Sequence, residues 1–137
     1  MAKQNRKTRA KSRISSVRLM LNEGNTKQHL MDVLSEYFIC EMACKELIVG
    51  YKDSQNEPMA YEDVKMNVNT IKSALRHYGI VVPESRTNYL FSSDPSSVKK
   101  LRDRLVHGIS KDTIRKLNNQ YEQMMIDMRL FLSSVEN

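Results

Sequence analysis

Apolar residues recur every three or four positions along most of the chain, and no stretch alternates between apolar and polar residues for more than a few positions. This spacing is typical of amphipathic α-helices, whereas half-buried strands alternate. The longest run of the pattern lies near the C-terminus, at Ile114, Leu117, Tyr121, Met124, Met128, Phe131 and Val135. The protein is therefore predicted to be all-α.

Residues that begin and end helices divide this pattern into four main helices. Asn25 with Gln28 as a capping box, Asp94 before Pro95, and Ser110 are predicted to begin helices. Glycines at positions 50, 79 and 108 are predicted to end them. The predicted helices cover about residues 25–49, 58–78, 95–107 and 111–135, and residues 80–93 are predicted to form a loop. Because the other connections are short, we expect an antiparallel four-helix bundle.

The first of these helices carries two apolar faces. The main face consists of Leu30, Val33, Leu34, Tyr37, Cys40, Cys44, Leu47 and Ile48, and the second consists of Met31, Phe38, Met42 and Val49. A helix that is apolar on so much of its circumference is predicted to be buried against more than one neighbour. Cys40 and Cys44 are interpreted as small buried hydrophobes, so neither a disulfide nor a metal site is predicted.

Basic residues are distributed unevenly. The chain has 22 Lys and Arg against 16 Asp and Glu, and residues 1–18 contain no acid. The basic residues of this segment are Lys3, Arg6, Lys7, Arg9, Lys11, Arg13 and Arg18. We therefore predict a basic arm over residues 1–18 and a nearly neutral helical domain over residues 19–137. The arm is expected to be flexible or to contain a short helix over residues 12–22 that stops at Gly24. It is either a solvated terminus or a phosphate-binding arm.

Several classes of protein are excluded by what the chain lacks. No apolar run approaches the roughly 18 residues needed to cross a membrane, and no apolar segment of a secretory signal follows the basic residues. The sequence contains no P-loop, no glycine-rich dinucleotide-binding turn and no G-x-S-x-G or H-E-x-x-H motif. We expect a cytoplasmic protein without a metal or other cofactor.

The segment RDRLVHG at residues 102–108 carries the most informative pattern. On a helical wheel the core-facing residues of its helix are Val98, Leu101 and Leu105. Arg102 borders this stripe. Asp103 and His107 lie one turn apart on nearly the opposite side, and Val106 lies between them and Arg102. An apolar residue among charged side chains indicates that a second subunit covers this surface.

The spacing of Asp103 and His107 suits an acid–base pair. Asp103 can accept a ring N–H from His107, which fixes the tautomer of the imidazole and favours its protonated form. The alternative is that His107 only complements the negative C-terminal end of its helix, with Asp103 as an ordinary surface partner.

The pattern Arg102-Asp103-x-x-x-His107, just before the break between the last two helices, resembles the signature of the HEPN superfamily. In that signature an Arg, often followed by a polar residue, precedes a His by a few positions. The helix order over about residues 25–135 agrees with it. The resemblance implies a homodimer whose two motifs meet at the interface. It also implies a metal-independent endoribonuclease of a toxin–antitoxin, anti-phage defence or RNA-processing system.

The resemblance also implies a role for each motif residue. Arg102 would bind the scissile phosphate, His107 would move protons at the 2′-OH or the leaving 5′-oxygen, and Asp103 would orient His107. The implied partners are RNA, a second copy of the chain and an antitoxin or other regulatory protein. Basic residues expected to guide RNA are Lys99, Lys100, Arg104, Lys111 and those of the arm. HEPN toxins paired with a nucleotidyltransferase antitoxin carry a modified Tyr where this chain has Ile109, so we do not expect that modification here.

An alternative interpretation of the sequence is a protein without catalytic activity. The same helical domain would dimerise or dock a partner through the face that contains Arg102 and His107, and the basic arm would hold nucleic acid. A DNA-binding regulator is less favoured, because no helix-turn-helix pair with a basic recognition helix is visible.

Overall fold

The computed structural model describes the backbone from Ala2 to Asn137 and side chains from Asn5 onward. Its helices are α1 (Ala2–Asn22), α2 (Thr26–Ser54), α3 (Val68–His77), α4 (Glu84–Phe91), α5 (Val98–His107) and α6 (Lys111–Glu136), with one 3-10 turn (Tyr61–Asp63). The all-α prediction is confirmed. Between Ala2 and Asn137 no helix is both long and apolar enough to cross a membrane.

The two long helices, α2 and α6, form the centre of the core. Cys40 and Cys44 of α2 are buried in it as free thiols, which confirms their interpretation as small hydrophobes. Burial raises the pKa of the Cys40 thiol to about 12, so this side chain stays neutral. The core also includes Phe91 of α4, whose ring meets that of Phe131 edge-on at 5.1 Å.

The predicted antiparallel arrangement is wrong for these two helices. Asn118 of α6 donates to Thr26, and farther along α6 the main-chain oxygen of Met128 accepts a hydrogen bond from Cys40. The paired positions increase together along both helices, so α2 and α6 run parallel. The reason is an additional helix, α4, which lies within the predicted loop of residues 80–93. Three helices instead of two therefore separate α2 from α6.

The helix predicted over residues 58–78 is shorter than expected. The Asn67 side chain accepts hydrogen bonds from the backbone N–H groups of Asn69 and Thr70. This N-cap starts α3 at Val68, and the preceding segment contains only the 3-10 turn. The stop predicted at Gly79 is confirmed, since this residue has a φ of 67° just after α3.

Both ends of α2 differ from the prediction. The capping box does not form, because Asn25 makes no side-chain cap and the Gln28 amide donates to Asp32 instead. Gly50 does not end the helix, which continues to Ser54. A Cβ at position 50 would lie 1.8 Å from the Tyr78 hydroxyl, so this glycine permits the close approach of the residue that follows α3.

The second apolar face predicted for α2 is not buried. Phe38 is 62% exposed, and its exposed apolar neighbours along the helix are Met31, Ile39 and Met42. Val49 is half-buried. The core of one chain therefore covers only the main face of α2, and this second face remains accessible.

The starts of three other helices complete the comparison. The prediction of Ser110 as the N-cap of the last helix is confirmed, since its hydroxyl accepts from the Thr113 N–H. For α5 the cap is Ser97 rather than Asp94, because the Asp94 carboxylate bonds Ser96 in a preceding turn. Helix α1 begins at Ala2 rather than near residue 12 and crosses residue 18 without a break, since no Gly or Pro interrupts it.

Candidate functional site

Helix α5 packs between α2 and α6, and this placement sets the direction of every side chain of the motif. The predicted core-facing stripe is confirmed, since Val98, Leu101 and Leu105 are all buried. Side chains on the remaining sides of α5 point either toward α2 or toward the surface beside residues 93–95, in the connection from α4. Arg102 takes the first direction, and Asp103 and His107 border the second.

The side chain of Arg102 is held against α2 by several contacts. Its guanidinium lies 3.6 Å from the Glu41 carboxylate and 3.4 Å from that of Asp103. It also lies 5.1 Å from the centre of the Tyr37 ring, a distance at which the ring face attracts a cation. The side chain of Arg102 remains 26% exposed, so a ligand approaching from solvent can still reach it.

Two polar atoms at this contact are buried without a hydrogen-bond partner in the described part of the chain. They are the Nε of Arg102 and the hydroxyl of Tyr37. Burial raises the pKa of the Tyr37 hydroxyl well above its ordinary value, so it remains a neutral donor. A buried donor without a partner is unfavourable, and both atoms lie beside a guanidinium that solvent still reaches.

His107 is the last residue of α5 and is exposed. It lines an open cavity of about 540 Å³ together with Ser93, Pro95, Lys100, Asp103 and Arg104. Asp103 and His107 thus border one cavity on the same side of α5. No hydrogen bond joins the two side chains among the described residues, and Asp103 pairs with Arg102 instead. The orienting contact is therefore not made in this conformation.

The predicted RNA-guiding residues occupy three different places. Lys100 and Arg104 line the same cavity as His107. Lys99 points away, since its ammonium donates to the main-chain oxygen of Met66 at 3.0 Å. Lys111 lines a separate open cavity of about 610 Å³, whose other residues all belong to α1 or follow it directly.

Helix α1 reaches the corner between α5 and α6 (residues 107–110). A guanidinium nitrogen of Arg13 lies 3.7 Å from the position that a Cβ on Gly108 would occupy. Lys11 lines the cavity of Lys111. The basic segment and the motif, which are far apart in sequence, therefore lie side by side. Of the basic residues predicted for the arm, Lys3 has a side chain outside the described residues.

A second polar cluster joins the starts of α2 and α6. The His29 ring stacks on that of Tyr121 at 3.8 Å, and its Nδ1 donates to the Asn118 side chain at 2.9 Å. The Tyr121 hydroxyl donates to Asp32 at 2.6 Å, and Gln28 donates to the other oxygen of the same carboxylate. These two hydrogen bonds, that from Tyr121 first, lower the pKa of Asp32.

Sequence reasoning missed two residues of the site, Tyr37 and Glu41. Tyr37 was assigned only to the core, and Glu41 was assigned no role. The sequence holds one weak signal, which is the position of Glu41 at the edge of the main apolar face of α2. It does not reveal which cation, 61 positions later, is the partner of that acid.

In comparisons with protein families, curated proteins and solved structures, the chain matches none. A functional assignment therefore depends on the motif and on the geometry around it.

Proposed function

We propose that the protein is a dimeric endoribonuclease of HEPN type that uses Arg102 and His107 at a composite site. The observation that carries this proposal is the meeting of the motif and the basic helix at one corner of the molecule. Arg13 lies against Gly108, directly beside His107. Lys100 and Arg104 border the His107 cavity, so cations surround the histidine where an RNA backbone would pass.

The geometry favours a site shared by two subunits. Arg102 and His107 are five residues apart, so their side chains leave α5 in directions about 140° apart. One subunit therefore presents its arginine toward α2 and its histidine toward the cavity. A second copy that places its His107 opposite Arg102 would complete the site.

The exposed apolar residues provide a surface for that second copy. Phe38 and Met42 are exposed on the same side of Glu41, the partner of Arg102, and Val106 is exposed one turn beyond Arg102 on α5. An exposed apolar surface therefore begins beside the Glu41–Arg102 pair. Packing this surface against a second copy would exclude water from Arg102 and strengthen its interaction with a phosphate.

In the proposed reaction His107 removes the proton of the 2′-OH, and the O2′ attacks the adjacent phosphorus. The P–O5′ bond breaks, and an imidazolium returns a proton to the leaving 5′-oxygen. The products are a 2′,3′-cyclic phosphate and a 5′-hydroxyl. Arg102 stabilises the charge that develops on the phosphate oxygens, which a planar guanidinium contacts in bidentate fashion. When the guanidinium of Arg102 turns to the phosphate, its ion pair with Asp103 breaks, and Asp103 accepts a hydrogen bond from the His107 ring instead.

Cleavage of a mixed RNA pool in EDTA tests the proposal. The wild type should release products with 2′,3′-cyclic phosphate ends, and His107→Ala should cleave about 10²–10⁴-fold more slowly, as expected for loss of an acid–base group. His77→Ala is the matched control, because His77 is likewise exposed and ends a helix. It should retain wild-type activity.

Two results would contradict the proposal. The first is equal cleavage by the wild type and His107→Ala, and the second is no cleavage of any RNA by the wild type. The second result, together with unchanged dimerisation, would favour the non-catalytic docking module. One observation favours that module: in the single chain Arg102 is held by Glu41 rather than presented freely.

A further inference from the structure

The six basic residues of α1 whose side chains the structure describes form two separate stripes. At 100° per residue, Arg6, Arg9 and Arg13 lie within about 60° of one another and make an arginine stripe. Lys7, Lys11 and Arg18 lie within about 40° of one another and make an opposite stripe, whose centre is roughly 150° away around the helix. The two stripes carry equal charge but point in different directions.

The arginine stripe leads to the His107 end of α5, whereas Lys11 of the opposite stripe lines the separate cavity of Lys111. The last member of the arginine stripe, Arg13, is the residue whose guanidinium lies against Gly108 at the α5–α6 corner. Arg6 and Arg9 continue the stripe toward the N-terminus, away from the body of the protein. With a rise of about 1.5 Å per residue, the stripe extends about 10 Å from Arg13 to Arg6.

The sequence of α1 is unfavourable for an isolated helix. Like charges repel at four-residue spacing, as for Lys7 with Lys11 and Arg9 with Arg13, and cations near the N-terminus oppose the helix dipole. None of the ion pairs between described residues involves α1. All described side chains from Asn5 to Ser16 are exposed, so packing does not offset this repulsion. A polyanion bound along the helix would offset this repulsion.

We propose that the arginine stripe binds the backbone of the RNA strand next to the scissile phosphate. The identity of the polyanion rests on the proposed function. The strand runs from the α5–α6 corner along α1, and Arg13, Arg9 and Arg6 contact successive parts of its backbone. The opposite stripe does not touch this strand. The enzyme therefore requires a flank of a few nucleotides on one side of the cleaved bond, and very short RNAs bind weakly.

Binding of a fluorescent single-stranded RNA to the full-length His107→Ala protein tests this inference without cleavage. Arg9→Gln/Arg13→Gln is compared with Lys7→Gln/Arg18→Gln, which removes the same charge from the opposite stripe. We expect the arginine pair to weaken binding about tenfold or more near 0.1 M salt. Each phosphate contact on a single strand contributes about 0.7 to the salt slope, so the slope should fall by about 1.4. The control pair should change affinity less than threefold and leave the slope unchanged.

Circular dichroism of each variant verifies that α1 remains helical, since glutamine is as good a helix former as arginine. Equal loss of affinity in the two pairs, or no binding of RNA by the parent protein, would overturn the inference. Failure of the proposed function gives a different result. If the wild type cleaves no RNA while RNA binding depends on the arginine stripe, the binding proposal holds and the nuclease proposal is wrong. If cleavage occurs and the two pairs behave alike, only the binding proposal is wrong.

Discussion

At the scale of single residues, Arg102 shows that a helical wheel predicts the face on which a side chain lies but not its contacts with other helices. The helical period correctly predicts that Arg102 borders the core-facing stripe of α5. Its two partners on α2, Tyr37 and Glu41, come from a helix 61 to 65 positions earlier in the chain. No local rule connects such distant positions, because the contact depends on how two helices pack. The sequence therefore predicted the motif but not the contact that restrains it.

The Asp32–Tyr121 hydrogen bond should stabilise the fold in a pH-dependent way. The folded state holds the pKa of Asp32 below the ordinary value of about 3.9, so this stabilisation is complete above that pH and is lost as the pH falls through the lower, folded-state value. Tyr121→Phe should lower the melting temperature at pH 7. The difference from the wild type should shrink as the pH falls below about 4.

Thermal unfolding followed by circular dichroism between pH 2.5 and 7 measures this difference. Tyr51→Phe is a suitable control, because the aromatic contact of Tyr51 with His77 does not use its hydroxyl. A difference that stays constant down to the lowest pH would show that the Tyr121 hydroxyl does not act through the ionised Asp32. No difference at any pH would show that Tyr121 stabilises the fold through its ring alone, by its stacking on His29.

At the scale of elements, periodicity located helices more reliably than their ends. The last helix was predicted almost completely, because a long apolar stripe and a side-chain cap at Ser110 agree. Helix α4 was missed because it is only eight residues long and Pro83 directly precedes it. Thr87, Leu90 and Phe91 are buried there, so tertiary packing stabilises a helix that is too short to be stable alone.

The prediction that Gly50 ends a helix is wrong. Its role beside Tyr78 can be measured by a double-mutant cycle. In the Tyr78→Ala background, Gly50→Ala should increase the free energy of unfolding by about 0.5–1 kcal/mol, the usual gain for alanine inside a helix. In the wild type the gain should be smaller or reversed, because the new methyl group displaces the Tyr78 ring.

Urea unfolding of the four proteins gives the coupling between the two positions. The three heavy atoms nearest to a Cβ at position 50 all belong to Tyr78, so this side chain should dominate the coupling. An identical effect of Gly50→Ala in both backgrounds would contradict the close approach of these two residues.

At the scale of the whole molecule, periodicity predicted the all-α fold correctly but not the relative direction of its two central helices. A chain with four predicted helices gives an antiparallel bundle, whereas the observed additional helix lets α2 and α6 run parallel. A separate difference, at the N-terminus, concerns the neighbourhood of the site. A flexible arm at the N-terminus has no fixed position, and only the continuous α1 places Arg13 beside Gly108.

The proposed dimer predicts a specific effect of substituting Phe38. Phe38→Lys should raise the dimer dissociation constant about 100-fold or more. Burying a phenylalanine contributes about 1.5–3 kcal/mol, and a twofold interface contains the residue twice. Val81→Lys is the control, since Val81 is 88% exposed and lies in the connection between α3 and α4.

Light scattering after size-exclusion chromatography, across a range of protein concentrations, measures both variants. The control should dimerise like the wild type. A monomeric wild type, or a Phe38→Lys protein that dimerises normally, would remove the apolar surface of α2 from the proposed interface and with it the composite site.

The parallel pairing of α2 with α6 also has a consequence during protein synthesis. The hydrogen bonds between these helices join residues 88 to 92 positions apart, so α2 lacks its most extensive packing partner until α6 has left the ribosome. Contacts of such high sequence separation form late, and folding is correspondingly slow. A nascent or prematurely terminated chain without α6 lacks six of the twenty buried apolar residues of the described core. For a nuclease, this delay would keep the enzyme inactive beside the messenger RNA that encodes it.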